Sequence, residues 1–348
     1  LVSKPLINNI FGKILIMIKL KNYKGLLFVG DPHVWSKNPG TRLDKSYLET
    51  CLDKINQAVQ IAKEKELYLI ILGDLFHTDY ENDITLLTRL TRTLKQLKEP
   101  CATIEGNHEK SQIKLSDDVA VTLLREAEVL RTLEKYEIWA ELIIDDKSYL
   151  IGLTPYGTPL PKEVKIPSKF DNMEKPFLIW MSHHDLDFGE SYPGVIPLQE
   201  IKNVDILVNG HIHKTKAPKR VGNMIGFNPG NITRLSTDCH DHIPSVWEWY
   251  PNSKLELKQT PLKFQKDVFD LTGKQIEIKG VKPLVQDDLT ADQTSLFVEK
   301  MHSNLLEDKA KTNDGTHIKK SITALAKAMN LNDEFINEIL KLSDETEI

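Results

Sequence analysis

The sequence predicts an α/β fold in four layers (α/β/β/α), two sheets face to face with helices outside, plus a small, mainly helical C-terminal appendage. Three observations point there. Short apolar, β-branched runs alternate with helical patterns through the first half of the 348 residues. The second half is richer in strands. In both halves the runs stop at a glycine, an aspartate or a histidine, so one kind of chemistry gathers at strand ends.

Leu26-Leu27-Phe28-Val29 is the first such run and ends at Gly30-Asp31. Leu48, Leu52, Ile55, Val59 and Ala62 follow at three- and four-residue spacing, which predicts a helix. Leu67–Leu72 is the next strand, ending at Gly73-Asp74. Leu86, Leu87, Leu90, Leu94 and Leu97 share one face of a helix over about residues 83–98. Cys101–Ile104 is a third strand, ending at Gly106-Asn107-His108. Strand, helix and strand in succession imply parallel strands with right-handed crossovers. The ligand crevice of such a sheet forms at the carboxyl ends of its strands. Further strands are expected over 138–144, 148–152, 177–182, 205–209, 224–227 and 245–250. Ile179–Ser182 runs into His183, and Ile206–Asn209 into Gly210-His211.

The chain divides into an N-terminal extension (1–20), a main domain (21–265) and an accessory segment (266–348) of Lys-rich linker and amphipathic helices, one over 331–342. The apolar stretch Ile14–Ile18 is far too short to span a bilayer, and Met17 reads as a natural start. Composition is that of a globular protein, 40% hydrophobic and 27% charged. A net charge of -5 gives no global basic field, though a local basic rim would still serve a nucleic acid. Three scattered cysteines, Cys51, Cys101 and Cys239, exclude a disulfide framework and favour a reducing compartment, the cytoplasm or a host's cytoplasm for a phage protein. Cys51 and Cys101 read as core. Cys239-His240-Asp241-His242 is metal-like by itself but lies within one loop.

Five blocks carry the chemistry: Asp31-Pro32-His33, Gly73-Asp74, Gly106-Asn107-His108-Glu109, His183 and Gly210-His211-Ile212-His213. Carboxylate, carboxamide and imidazole donors without thiolate suit divalent manganese, iron or zinc. Asp-x-His and His-x-His place two donors on one side of an extended segment. One carboxylate shared by two ions holds them close enough to clamp a phosphate. Alone, a Gly-Asp after a strand reads as a turn and an Asn-His as a loop, and a His-x-His reads equally as metal-binding or solvated. All five in order, each at a strand end, point to a dinuclear centre that hydrolyses phosphate esters. Ser182-His183-His184 leaves two adjacent imidazoles; His183 ends the strand directly, and His184 stays open.

Over about residues 25–250 these blocks resemble the calcineurin-like metallophosphoesterase superfamily. The resemblance implies that superfamily's layered sandwich. It also implies one ion on Asp31, His33, Asp74 and His213, and a second on Asp74, Asn107, His183 and His211, with Asp74 bridging. His108 would stand over the scissile phosphate while a metal-activated hydroxide attacks in line. Gly73-Asp74-Leu75-Phe76-His77 resembles the double-strand-break repair nucleases and SbcD-type exonuclease subunits, since the phosphoprotein phosphatase branch carries an aspartate where His77 stands. The branch implies a manganese-dependent DNA nuclease of repair or recombination, with His77 orienting His108 or meeting phosphate. It also implies a coiled-coil ATPase partner of the SbcC type, docking on 331–342, and leaves a homodimer open. Asn231, in a turn like the branch's Pro-Gly-Ser, and the arginines Arg42 and Arg234 are expected at the substrate. Lys214, Lys216, Lys219 and Arg220 suggest a basic rim, or simply a solvated loop. Hydrolysis of nucleotides or other small phosphate esters is the alternative activity.

Overall fold

The computed structural model describes residues 17–109, 115–171, 174–189, 194–251 and 256–270. The helical patterns expected in the accessory segment, 331–342 among them, lie outside these residues.

The elements begin with β1 (Ile18–Leu20), β2 (Gly25–Val29), α1 (Tyr47–Lys65), β3 (Leu67–Ile71), α2 (Ile84–Leu94), β4 (Cys101–Ile104), α3 (Ala120–Glu126) and β5 (Leu130–Leu133). They continue with β6 (Glu137–Ile144), β7 (Lys147–Thr154), β8 (Phe177–Ser182), β9 (Leu186–Asp187), β10 (Ile196–Pro197) and β11 (Ile206–Asn209). The last are β12 (Lys216–Val221), β13 (Met224–Asn228), β14 (Ser245–Tyr250) and β15 (Glu256–Pro261). One sheet runs β15-β14-β2-β3-β4-β5, and the second β1-β6-β7-β8-β11-β13-β12. β2, β3, β4 and β5 pair in parallel, as do β7 with β8, β8 with β11 and β11 with β13. This is a mixed α/β sandwich of two sheets flanked by helices, as the sequence predicts.

β2 shows why the apolar runs are continuous. Alternate residues face opposite sides of a strand. Leu27 and Val29 join the cluster formed with Leu52, Ile55 and Val59 of α1 and Leu86 and Leu90 of α2. Leu26 and Phe28 face the second sheet and pack with Ile179, Val208, Phe227 and Trp249. A strand buried on both faces needs no polar alternation. The outer face of the second sheet, with Leu150, Leu178 and Trp180, is covered by segments around Val164, Phe170 and Ile201.

The helices start where capping chemistry allows. The Ser46 hydroxyl accepts from the Glu49 amide at 3.4 Å, and Asp83 accepts from the Leu86 amide at 2.7 Å. α1 closes on Glu66 in a left-handed conformation (φ 54°). Leu86, Leu90 and Leu94 of α2 are buried, worth roughly 2 kcal/mol each relative to exposure.

Both expected boundaries of the main domain shift. Ile18–Leu20, placed in an N-terminal extension by the sequence, pair with Ala140–Leu142 as an edge of the second sheet. Beyond residue 265, Val268 and Phe269 are buried, and Val268 and Asp270 share backbone hydrogen bonds with Leu43 and Thr41. Cys51, Cys101 and Cys239 are all buried and free. Among the described residues, no helix is long and apolar enough to cross a membrane.

Candidate metal centre

The carboxyl ends of β2, β3 and β4, side by side in one sheet, meet those of β8 and β11, neighbours in the other. The chain must turn abruptly after each strand, and it does so at a cost in backbone strain. Asp31 (φ 30°), His33 (φ 43°), Asp74 (φ 47°) and His211 (φ 73°) all adopt left-handed conformations, a signature that clusters at functional sites. The glycines of the blocks have a steric role. A Cβ on Gly73 would lie 2.4 Å from His183 Nδ1, and one on Gly106 would lie 2.2 Å from Asp74 Oδ1.

Asp74 stands at the middle. Its Oδ2 is 3.2 Å from His183 Nε2 and 3.8 Å from His33 Nε2. On one side, His33 Nε2 and His213 Nε2 approach to 3.0 Å. On the other, Asn107 Oδ1 is 3.0 Å from both His183 Nε2 and His211 Nδ1. Asp31 Oδ1 accepts from the His211 amide at 3.1 Å and lies 3.7 Å from His183 Nδ1. The donors thus form two groups that share one carboxylate.

Several features fit a pair of divalent cations. With metal–ligand bonds of about 2.1 Å, neighbouring ligand atoms in an octahedron sit about 3 Å apart, as the closest donors do here. His183 Nδ1 donates to the Leu72 carbonyl at 2.6 Å, which leaves the Nε2 lone pair facing Asp74 and Asn107. That is how a protein sets the tautomer of a ligating histidine. Asp31 Oδ2 and His33 Nδ1 are buried polar atoms with no hydrogen-bond partner, an arrangement that is costly unless something else satisfies it. Burial raises Asp31 to a pKa of about 7, with the Asp74 charge adding to the effect. For His183 burial acts downward, but the Asp74 and Asp31 carboxylates outweigh it and raise the value to about 10. Burial and the His183 charge push His211 down to about 3. Buried carboxylates, a carboxamide oxygen and imidazole nitrogens without a thiolate are donors that suit divalent cations.

His108 lies at the edge of the cluster. Its amide donates to Asp74 Oδ1 at 3.0 Å, and its Nδ1 donates to the His77 carbonyl at 2.6 Å. Burial works against its charged form, yet Asp74 and the His77 carbonyl hold it above the ordinary histidine value. Its ring stacks on His77, with centroids 5.4 Å apart, and meets His33 edge-on at 4.7 Å.

A carboxylate to which the sequence assigned no role holds the turns together. Glu109 is buried and accepts from the amides of Asp74 (3.0 Å), Leu75 (2.5 Å) and Gly106 (3.0 Å). Its only sequence signal was its place as the last residue of the Gly-Asn-His-Glu block.

A family model for calcineurin-like phosphoesterases matches residues 25–215. The chain belongs to this family. As a calcineurin-like phosphoesterase it is a metal-dependent phosphoester hydrolase, and the family and the donor cluster are consistent with a dinuclear divalent-metal centre. Comparison with curated proteins gave no match. Among solved structures, an archaeal phosphodiesterase aligns over 68% of this chain and 99% of its own at 15% identity, with a TM-score of 0.35. The protein TT1561 of Thermus thermophilus aligns over 69% and 99% at 10% identity, with a TM-score of 0.42. A 5'-nucleotidase precursor from the same organism aligns over 68% of this chain and 54% of its own at 11% identity, with a TM-score of 0.39.

Three residues expected at the substrate belong instead to the framework. Arg42 pairs with Asp44 through Nε and Nη2, donates through Nη1 to the carbonyls of Thr233 and Arg234, and packs over Tyr47 and Phe269. Arg234 donates to the carbonyls of His240, Gln265 and Lys266 and lies over Phe264. Asn231 is fully buried, with its side chain on the Arg234 amide and Cys239 Sγ. All three tie the segment after β13 to the loops around it. His77 meets His108 through its backbone, the carbonyl accepting from His108 Nδ1. The basic rim is thinner than expected. Lys216 is buried, Lys219 donates to the Phe188 carbonyl, and Lys214 faces Asp241 at 3.7 Å. Of the two adjacent histidines, His184 turns away and donates to the Thr158 carbonyl at 2.8 Å.

Proposed function

We propose that this phosphoesterase is a nuclease that hydrolyses phosphodiester bonds in DNA with manganese, in the manner of the double-strand-break repair and SbcD-type branch. One observation carries the reading. The stacked His77–His108 pair borders the cluster at the position where the phosphoprotein phosphatase branch carries an aspartate–histidine pair. The framework role of Arg42 and Arg234 adds support. A phosphomonoester dianion is best recognised by bidentate guanidinium groups, and these two have none to offer. A diester carries a single charge and asks less of such groups.

In this reading Asp31, His33, Asp74 and His213 would hold one ion, and Asp74, Asn107, His183 and His211 the other. Bound there, the ions would polarise the phosphate and acidify water. The protein's own contribution is positional. His183 is oriented by the Leu72 carbonyl, and the Asp74 turn is held by Glu109. His108, with Nδ1 anchored on His77, keeps Nε2 to hold a proton for the leaving oxygen. The full chain incubated with Mn2+ and with single- and double-stranded DNA should cleave the polymer. Turnover of mononucleotides or model esters without DNA cleavage would reject the nuclease reading.

That outcome would favour the second reading, a hydrolase of nucleotides or other small phosphate esters. Its support is Tyr156, a half-buried aromatic ring 6.0 Å from His211 and 6.2 Å from His183, beside the donors where a single base would lie. A coiled-coil ATPase partner would dock on 331–342, outside the described residues. Co-purification with and without that segment tests the partnership.

A further inference from the structure

The loop over 236–242 approaches the centre from outside the five blocks. The sequence drew attention to its Cys239-His240-Asp241-His242 stretch, but the residues that come near are Asp238 and Cys239. One ring nitrogen of His213, one carboxylate oxygen of Asp238 and Cys239 Sγ lie within 4.8 Å of one another. His213 Nε2 is the nitrogen that faces His33 at 3.0 Å, so Nδ1 is left for a partner outside the cluster. The loop is held in register with His213 by Asn231, whose amide donates to the His213 carbonyl at 2.8 Å and whose side chain meets Cys239 Sγ at 3.7 Å. The His242 ring closes on the Asn231 carbonyl at 2.7 Å, and the Ser236 hydroxyl holds the Asp238 carboxylate.

We infer that Asp238 is a positioning residue for His213: its carboxylate takes the imidazole N–H turned away from the cations, fixing the ring and its tautomer. Histidines that bind metals commonly donate their second nitrogen to a carboxylate in this way, and the carboxylate raises the basicity of the ligand. A side-chain rotation of Asp238 or one bridging water spans the separation. The same cluster could instead hold a third ion through the thiolate. The positioning role fits better, because Cys239 is fully buried and its thiol already contacts Asp238 Oδ2 at 3.5 Å.

The inference rests on the dinuclear reading, and one experiment separates the two. Calorimetric titration of the full chain with Mn2+ alone would compare the wild type with Asp238→Asn and Asp238→Glu. The wild type should bind two ions. Asp238→Asn should weaken one of them by about tenfold, the low end of such effects because Asp238 is exposed. Asp238→Glu should recover most of the loss, and the unfolding midpoint without metal should stay unchanged in both variants. A wild type that binds fewer than two ions overturns the dinuclear reading itself. Two ions bound equally tightly by the wild type and Asp238→Asn overturn the role of Asp238 alone. Titration with Co2+ gives a further readout. A thiolate-to-cobalt absorption band that disappears in Cys239→Ser would make Cys239 a ligand and refute the positioning role.

Discussion

Replacing Glu109 separates the scaffold of the centre from its donors. The Glu109 carboxylate is the acceptor for three buried amides, those of Asp74, Leu75 and Gly106. Leaving a buried donor unsatisfied costs about 1–3 kcal/mol. Three amides would sum to roughly 3–9 kcal/mol, but Glu109→Ala also opens space for water, which rebonds part of them. We expect a loss of about 4 kcal/mol, a large share of the 5–15 kcal/mol typical of a folded domain. Glu109→Gln keeps one oxygen for two amides and turns an NH2 group toward the third, so about 2 kcal/mol should go. Urea denaturation of the metal-free proteins reads both values. Manganese titration should then show weaker binding in each variant, because the Asp74 turn is no longer held. Variants within about 0.5 kcal/mol of wild type, the range of ordinary surface substitutions, would refute the reasoning.

His108→Ala should lower turnover by about 10²–10⁴-fold, the usual contribution of a positioned acid or base, while calorimetry still finds two manganese ions. Arg234→Ala should destabilise the fold by about 2–4 kcal/mol in urea, through three orphaned carbonyls and a vacated guanidinium site, and leave KM unchanged; a raised KM with normal stability would restore Arg234 to the substrate. Glu248 is buried, which pushes its pKa up, but hydrogen bonds from Lys65, Thr260 and Tyr250 outweigh burial and hold it below 4.5. Its stabilising effect is therefore complete above about pH 4.5 and fades as pH falls through the lower folded-state value. Glu248→Gln should be about 1–2 kcal/mol less stable than wild type at pH 7, and the gap measured by urea denaturation should narrow below pH 4.5.

The strands legible in the sequence were those buried on both faces. β8 and β14 occupy the expected residues 177–182 and 245–250, runs rich in aromatic and aliphatic side chains. The edge elements escaped notice. β12 reads as a basic loop, since Lys216–Val221 carries Pro218 and exposed side chains, as an edge strand does. β5 is four residues long and half polar, and α3 has no side-chain cap to announce it. At the centre, the donor residues could be named because each sits within four positions of the end of a strand that is itself easy to see. The arginines could not be placed, because charge says nothing of direction. Arg42 is fixed by carbonyls 191 and 192 residues away, a pairing that only the folded chain creates. The same holds for Leu72 and His77, which act through carbonyls that every residue possesses.

The donors are divided between the two sheets, with Asp31, Asp74 and Asn107 on one and His183 and His211 on the other. A cation seated among them is a rivet through both layers as well as a reagent. Ligand binding to the native state alone adds RT ln(1 + [L]/Kd) to its stability, and here that increment would clamp one half of the sandwich to the other. A strong chelator should therefore loosen the whole body of the protein, and its melting temperature should track the supply of divalent cations.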